Sequence, residues 1–250
     1  MAGHSKWANI KHRKAASDKR RGKLWSKAAH AIIVAARLGG GDIKGNTRLA
    51  MAVHDARKVN MPADTIDRAI KRGTGELQGP ETVELVYEGY GPGGVAMVIE
   101  ALTDNRHRTA PDLKHIFEKN GGNLGAVGSV MHSFTRKGII IVRKDKLPEE
   151  ALFDVAVGAG AEDIASDDEF FTVTTGATEF EGVKKALAEK TILTESAQLE
   201  YLPHTRNAVS LDVARAVQKL MDALDDNNDV QNIYTNHEPP EEFLQELAGK

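Results

Sequence analysis

Cysteine is absent from the 250 residues, which excludes disulfides, thiolate metal sites and cysteine nucleophiles and is compatible with a reducing compartment. Long apolar runs are missing too. AAHAIIVAA (28–36), the longest near the start, is far too short to span a bilayer. It follows a basic arm rather than a secretory n-region and cleavage site, so the chain is expected to be cytoplasmic, with no membrane partner. Catalytic patterns are equally scarce: there is no HExxH, no nucleophile elbow and no carboxylate pair at clear helical spacing. Aromatics amount to 5%, with Trp7 and Trp25 the two Trp. What is present is ordinary for a soluble globular protein, 41% hydrophobic and 28% charged, in a length comfortable for two or three modest domains.

The net charge of -3 conceals an asymmetry. The first 72 residues carry 17 Lys and Arg against 5 Asp and Glu, a net of +12, and the remaining 178 carry 16 against 31, a net of -15. GHSKWANIKHRKAASDKRRGK (3–23) alone has eight bases and one acid. A charge run can be a solvated face, but splits of this size point to a polyanion at one end. Trp7 sits among the bases, where an aromatic plane can stack on a nucleobase while cations neutralise phosphates. Trp25 reads as core. Ser17 or Asp18 is a candidate N-cap for a helix to about Leu38, with Lys19, Arg20 and Arg21 in its first turn, where cations oppose the helix dipole. Gly22 in the same helix costs about 1 kcal/mol relative to Ala. Local stability does not explain these choices, whereas an external anion does. The expected nucleic-acid-binding set is Lys6, Trp7, Lys11, His12, Arg13, Lys14, Lys19, Arg20, Arg21 and Lys23.

Helical spacing continues to about residue 75. Leu24, Ala28, Ala31, Ala35 and Leu38 form one stripe; Leu49, Val53, Ala56 and Val59, behind a candidate Asn46 cap, form a second. The third helix has Pro62 at its first turn, Asp64 and Asp67 early, Lys71 and Arg72 late, and Gly73 after its end. GGDIKGNT (40–47) nearly matches a phosphate-binding loop, but Asn46 replaces the lysine and a helix precedes it, so it reads as an interhelical linker.

From Glu81 the period changes to that of strands. Val83, Leu85 and Tyr87 alternate with Glu84 and Glu88, and GYGPGG (89–94) turns the chain into the apolar run VAMVIEAL (95–102), giving a hairpin. Its tip is poor in side chains and suited to a narrow site. TDNRHRT (103–109) then places Asp104, Asn105, Arg106, His107 and Arg108 ahead of a helix expected from about Pro111, as a possible secondary polar site that could hold an anion or simply cap. GGNLGAVGS (121–129) reads as a loop around a close backbone approach. Residues 134–203 follow in the order βαββαβ, the ferredoxin-like pattern, with Phe170 and Phe171 expected in a core or protein contact because Asp167, Asp168 and Glu169 repel phosphates. A helix capped by Ser210 and the strand VQNIYTN (230–236) are expected to rejoin the segment before 133. The acidic stretch from Asp222 to Glu246 reads as a soluble rim.

MAGHSKWANIKHRK, VYEGYGPGGVAMVIEALTDNRHRT and GGNLGAVGSV together resemble the YebC family over essentially the whole chain. That family is described as probable transcriptional regulators, with a mitochondrial relative that acts as a translational activator. The resemblance implies an α+β protein of three domains: a basic three-helix domain (1–78), an α+β domain (79–133 plus 204–250) and a ferredoxin-like domain (134–203) inserted into it. It also implies links to promoter DNA and to the ribosome, where members are thought to ease stalling on proline-rich stretches. Since the sequence begins with the family's N-terminal motif, a bacterial-type member without a targeting extension is expected.

The function expected is a non-enzymatic nucleic-acid-binding regulator, with promoter DNA or ribosomal RNA as partner, no cofactor, no metal and no small-molecule ligand. The alternative is a ribosome-associated translation factor that relieves stalling on proline-rich sequences, its GYGPGG tip or TDNRHRT junction approaching the reacting centre. No recognition helix with a base-reading residue set is evident. A third class, a metal-dependent phosphodiesterase using Asp104, His107 and Glu100, lacks ligand spacing. A protein adaptor built on the acidic domains is also compatible with the sequence.

Overall fold

The computed structural model describes residues 21–79, 82–144 and 148–248. Its contacts group residues 21–79, 82–131 and 209–237 in one unit, and 132–144, 148–208 and 238–248 in another.

The first unit begins with three helices: α1 (Arg21–Gly39), α2 (Thr47–Lys58) and α3 (Ala63–Gly73). Ile32, Ile33, Ala35 and Ala36 of α1 pack against Leu49, Val53 and Ala56 of α2 and Ile66 and Ala69 of α3. The core is made of small and aliphatic side chains, so the helices lie close. At Gly73 a Cβ would come within 2.5 Å of the Ile33 carbonyl oxygen and 2.6 Å of Ala36 Cβ. Gly73 is therefore the last residue of α3 and a packing requirement, not the residue beyond the helix end. Leu38, expected on the apolar stripe, is 66% exposed. Trp25 packs on this core as expected and donates its indole N–H to the Val59 carbonyl at 3.0 Å. Asn46 caps α2: its Oδ1 accepts the Leu49 N–H, and its Nδ2 donates to the Ala35 and Gly40 carbonyls. The near-match to a phosphate loop is thus a buried cap.

The same unit continues with the hairpin β1 (Val83–Gly91) and β2 (Val95–Thr103), in register from Gly91 against Val95 to Val83 against Thr103. Helix α4 (Arg106–Lys119) and a short β3 (Asn123–Leu124) follow. After the excursion into the other unit, α7 (Leu211–Asp225) leads to β8 (Val230–Thr235), which pairs antiparallel with β2. The sheet order is β3-β1-β2-β8. Ser210 accepts the Val213 N–H, and the α7 residues Ala214, Val217, Leu220, Met221 and Leu224 are buried. Helix α4 starts five residues before the expected Pro111, which lies inside it; Asn105, not proline, sets the start by accepting the Arg108 N–H.

The second unit holds β4 (Phe134–Arg143), α5 (Glu149–Gly158), β5 (Ala161–Ser166), β6 (Phe170–Gly176), α6 (Phe180–Glu189) and β7 (Thr194–Pro203). Its antiparallel sheet runs β5-β6-β4-β7, the ferredoxin-like arrangement. One face, with Ile140, Val142, Phe171 and Val173, packs on Leu152, Ala156, Val183 and Leu187 of the two helices. Phe170 and Phe171 are both buried, on opposite faces of the sheet. A final helix, α8 (Glu241–Ala248), lies in the stretch expected to be a soluble rim; its Phe243 and Leu244 are buried.

Candidate nucleic-acid interface

Of the ten residues expected to meet nucleic acid, Lys6, Trp7, Lys11, His12, Arg13, Lys14, Lys19 and Arg20 lie outside the described residues, as do the side chains of Arg21 and Lys23 on α1. The helices that follow show how the basic character continues. Arg57 and Lys58 end α2, and Arg68, Lys71 and Arg72 lie on α3; all five are exposed and form no ion pair with a described residue. From sequence alone Lys71 and Arg72 read as complements to the helix dipole. Other bases are already engaged: Lys27 bonds Asp225 at 2.7 Å, Arg48 bonds Glu84, and Arg37 donates to the Thr82 carbonyl.

The TDNRHRT segment becomes a network centred on a residue 120 positions away. Asp229, whose side chain is 5% exposed, receives Arg108 Nη2 at 2.9 and 3.1 Å, the Thr109 hydroxyl at 2.7 Å and the Thr103 hydroxyl at 3.2 Å. Its carbonyl accepts the Leu102 N–H. The hydrogen bonds to Asp229 and its negative charge raise the Arg108 pKa further, so the guanidinium stays cationic. Asp104 also meets Arg108, at 3.2 Å. Asn105 caps the helix, and Arg106 and His107 are exposed. Tyr87 has a raised pKa, first from burial and then from the Asp229 charge, with Arg106 acting in the opposite direction.

Beside this network a polar cavity of about 420 Å³ is lined by Ser26 and His30 of α1, Asp104, Arg108 and Asp112, and Asn227, Asn228 and Asp229. Three carboxylates face one guanidinium that is already paired, so the cavity does not suit a phosphate. The three residues considered for phosphodiester chemistry do not converge. Glu100 lies on the face of β2 opposite Thr103 and accepts from Asn232 and the Tyr234 hydroxyl, while Asp104 is tied to Arg108. Among the described residues no group of three or more His, Asp or Glu could hold a metal ion.

The tip of the sheet is built from both glycine-rich segments. The Glu88 carboxylate, in a residue 5% exposed, accepts the N–H groups of Gly128 at 2.6 Å, Val130 at 2.8 Å and Met131 at 2.8 Å. Sequence alternation places Glu88 on a polar strand face; nothing local announces its loop partners forty residues on.

Family models for the TACO1/YebC N-terminal domain and for the TACO1/YebC second and third domains match residues 5–76 and 82–237. The chain belongs to the TACO1/YebC family. Proteins of this family named probable transcriptional regulatory protein include one from Persephonella marina, 49% identical across 99% of this chain and 100% of the relative. Another, from Treponema denticola, is 50% identical across 97% and 98%. A crystal structure of a conserved hypothetical protein from Aquifex aeolicus superposes with a TM-score of 0.80 at 44% identity, covering 89% of this chain and 92% of that one. The TACO1/YebC models divide the chain between residues 76 and 82, where the three helices give way to the first hairpin. Among the described residues no helix is long and apolar enough to cross a membrane.

Proposed function

We propose that this chain is a non-enzymatic, cytoplasmic regulator of gene expression that binds nucleic acid through the basic residues from Lys6 to Lys23, with the exposed bases of α2 and α3 extending the contact. The reading rests on one observation: a net charge of +12 over the first 72 residues in a chain whose remainder carries -15. Such a division attracts phosphates to one end and repels them from the other. The regulator names of the family's members agree with it. We further take the helices, the first sheet and the inserted sheet as three domains, so that the helical one anchors the rest.

The partner is duplex DNA or ribosomal RNA. The helices carry no base-reading set, whereas the glycine-rich tip is slender and free of exposed acids; this favours the second reading, a ribosome-associated factor anchored on ribosomal RNA that relieves stalling on proline-rich sequences. In that reading the ribosome remains the catalyst, and the GYGPGG tip favours a productive geometry. Nuclease-protected crosslinking with sequencing of the attached nucleic acid tests both. Enrichment of promoter fragments supports the first reading and enrichment of ribosomal RNA the second; recovery of neither removes both.

A further inference from the structure

We propose that the loop 124–131 is a rigid apolar wedge that presses Val127 against an unpaired base of the bound nucleic acid, with the neighbouring Tyr90 ring as a second contact. The proposal rests on the reading that the partner is a nucleic acid.

Val127 is 94% exposed, the most exposed of the large hydrophobic side chains described, and Tyr90 is 40% exposed. An exposed valine on a loose loop would mean little. This loop is held on both sides of Val127. Leu124 pairs with Gly89 in the sheet, and the Gly125 N–H donates to the Glu88 carbonyl. The Ser129 N–H donates to the Ala126 carbonyl, closing a turn over Val127. The Glu88 carboxylate collects the three N–H groups of Gly128, Val130 and Met131. Tyr90 donates its hydroxyl to the Ser129 carbonyl at 2.9 Å, so ring and loop form one piece. Gly128 takes a left-handed φ of +85°, and a Cβ on Gly125 would come within 2.4 Å of Ser129 Oγ, so the turn that carries Val127 requires glycine at both positions.

The charge around the wedge fits a polyanion. Residues 73–250 contain 31 acids, yet 89–99 and 119–131, which make up the whole tip, contain none. The charge of Glu88, which adjoins the tip, is buried and covered by backbone donors. At Gly128 a Cβ would meet nothing within 4 Å, and at Gly121 the nearest atom is on Pro92 at 3.8 Å, so these two glycines leave room for a sugar-phosphate backbone to approach. A rigid aliphatic side chain beside an aromatic ring is the means by which proteins press on or unstack a base.

The test uses the full chain and three probes: an RNA hairpin with 2-aminopurine in a one-base bulge, the same hairpin without the bulge, and the DNA counterpart of the bulged probe. Wild type is expected to prefer a bulge and to change its 2-aminopurine fluorescence. Val127→Ser, at a site exposed enough to leave folding intact, is expected to weaken bulged binding about tenfold, the size of one base contact, and to abolish the fluorescence change. Its affinity for the paired hairpin stays as in wild type. Discrimination on the RNA probe, the DNA probe or both identifies the source of the base. Equal binding of wild type and Val127→Ser to every probe, or equal weakening on bulged and paired probes, overturns the wedge alone. Failure of wild type to bind any probe overturns the nucleic-acid reading and the wedge with it.

Discussion

Truncating Arg108 is predicted to destabilise the fold more than truncating the buried acid it contacts, although Arg108 is half exposed. In Arg108→Ala the Asp229 carboxylate, 5% exposed, keeps the hydroxyl donors of Thr103 and Thr109 and loses its only cationic partner among the described residues. A buried charge left without its partner costs about 3–5 kcal/mol, and the two remaining donors set the expectation at the low end, about 3 kcal/mol. In Asp229→Ala the two hydroxyls still bond each other at 2.8 Å, and Arg108, with 49% of its side chain exposed, returns to water. The loss is then the charge-assisted bonds, about 2 kcal/mol. Once Asp229 is gone Arg108 has little left to stabilise, so the double variant should match Asp229→Ala alone, giving a coupling of about 3 kcal/mol, the full cost of Arg108→Ala. The solvated Asp104–Arg108 pair adds little to this. Urea titration measures the cycle, and amide exchange along α4 assigns the change to this unit rather than to the ferredoxin-like one. An Arg108→Ala variant within about 0.5 kcal/mol of wild type, or an additive cycle, would refute the reasoning.

Two further outcomes follow from the first sheet. Glu88→Gln puts an amide NH₂ where an oxygen received backbone N–H groups, so at least one buried donor loses its acceptor; about 2 kcal/mol of destabilisation and faster exchange at Gly128, Val130 and Met131 are expected, and unchanged exchange there would count against the clamp. The pKa of Tyr87 is raised in the fold, so its contribution to stability is complete below the unfolded value of about 10 and is lost as pH rises through the folded value. Tyr87→Phe should therefore flatten the alkaline decline of stability above about pH 10, and an equally steep decline in the variant would remove this role.

Much of the architecture was legible because local signals agreed with one another. Asn46 and Ser210 cap helices as their positions indicate, GYGPGG joins two strands, and the alternation from 134 to 203 resolves into the ferredoxin-like sheet. The misses share a cause: partners distant in sequence. Pro111 marked a helix start by its own chemistry, but the start is fixed by Asn105 within a network that Asp229 closes from the loop before β8. Glu88 reads as a solvent-facing strand residue until residues 128–131 fold onto it. Gly73 looks like a helix stop and is instead a close crossing of α3 over α1. In α8 the surrounding acids mask two buried apolar residues, Phe243 and Leu244. The candidate site divides similarly. Charge composition exposes the basic end without any structure, whereas the wedge at Val127 depends on loop geometry that no local pattern encodes.

The salt dependence of duplex binding by wild type and by a variant carrying Lys19→Glu, Arg20→Glu and Arg21→Glu tests the central claim most directly. If six bases contact phosphates, the logarithm of the binding constant should fall with the logarithm of salt with a slope of about -5. The charge-reversed chain should bind far more weakly, with a slope nearer about -3. Equal affinities and equal slopes for the two proteins would contradict the assignment of the amino-terminal bases to a polyanion.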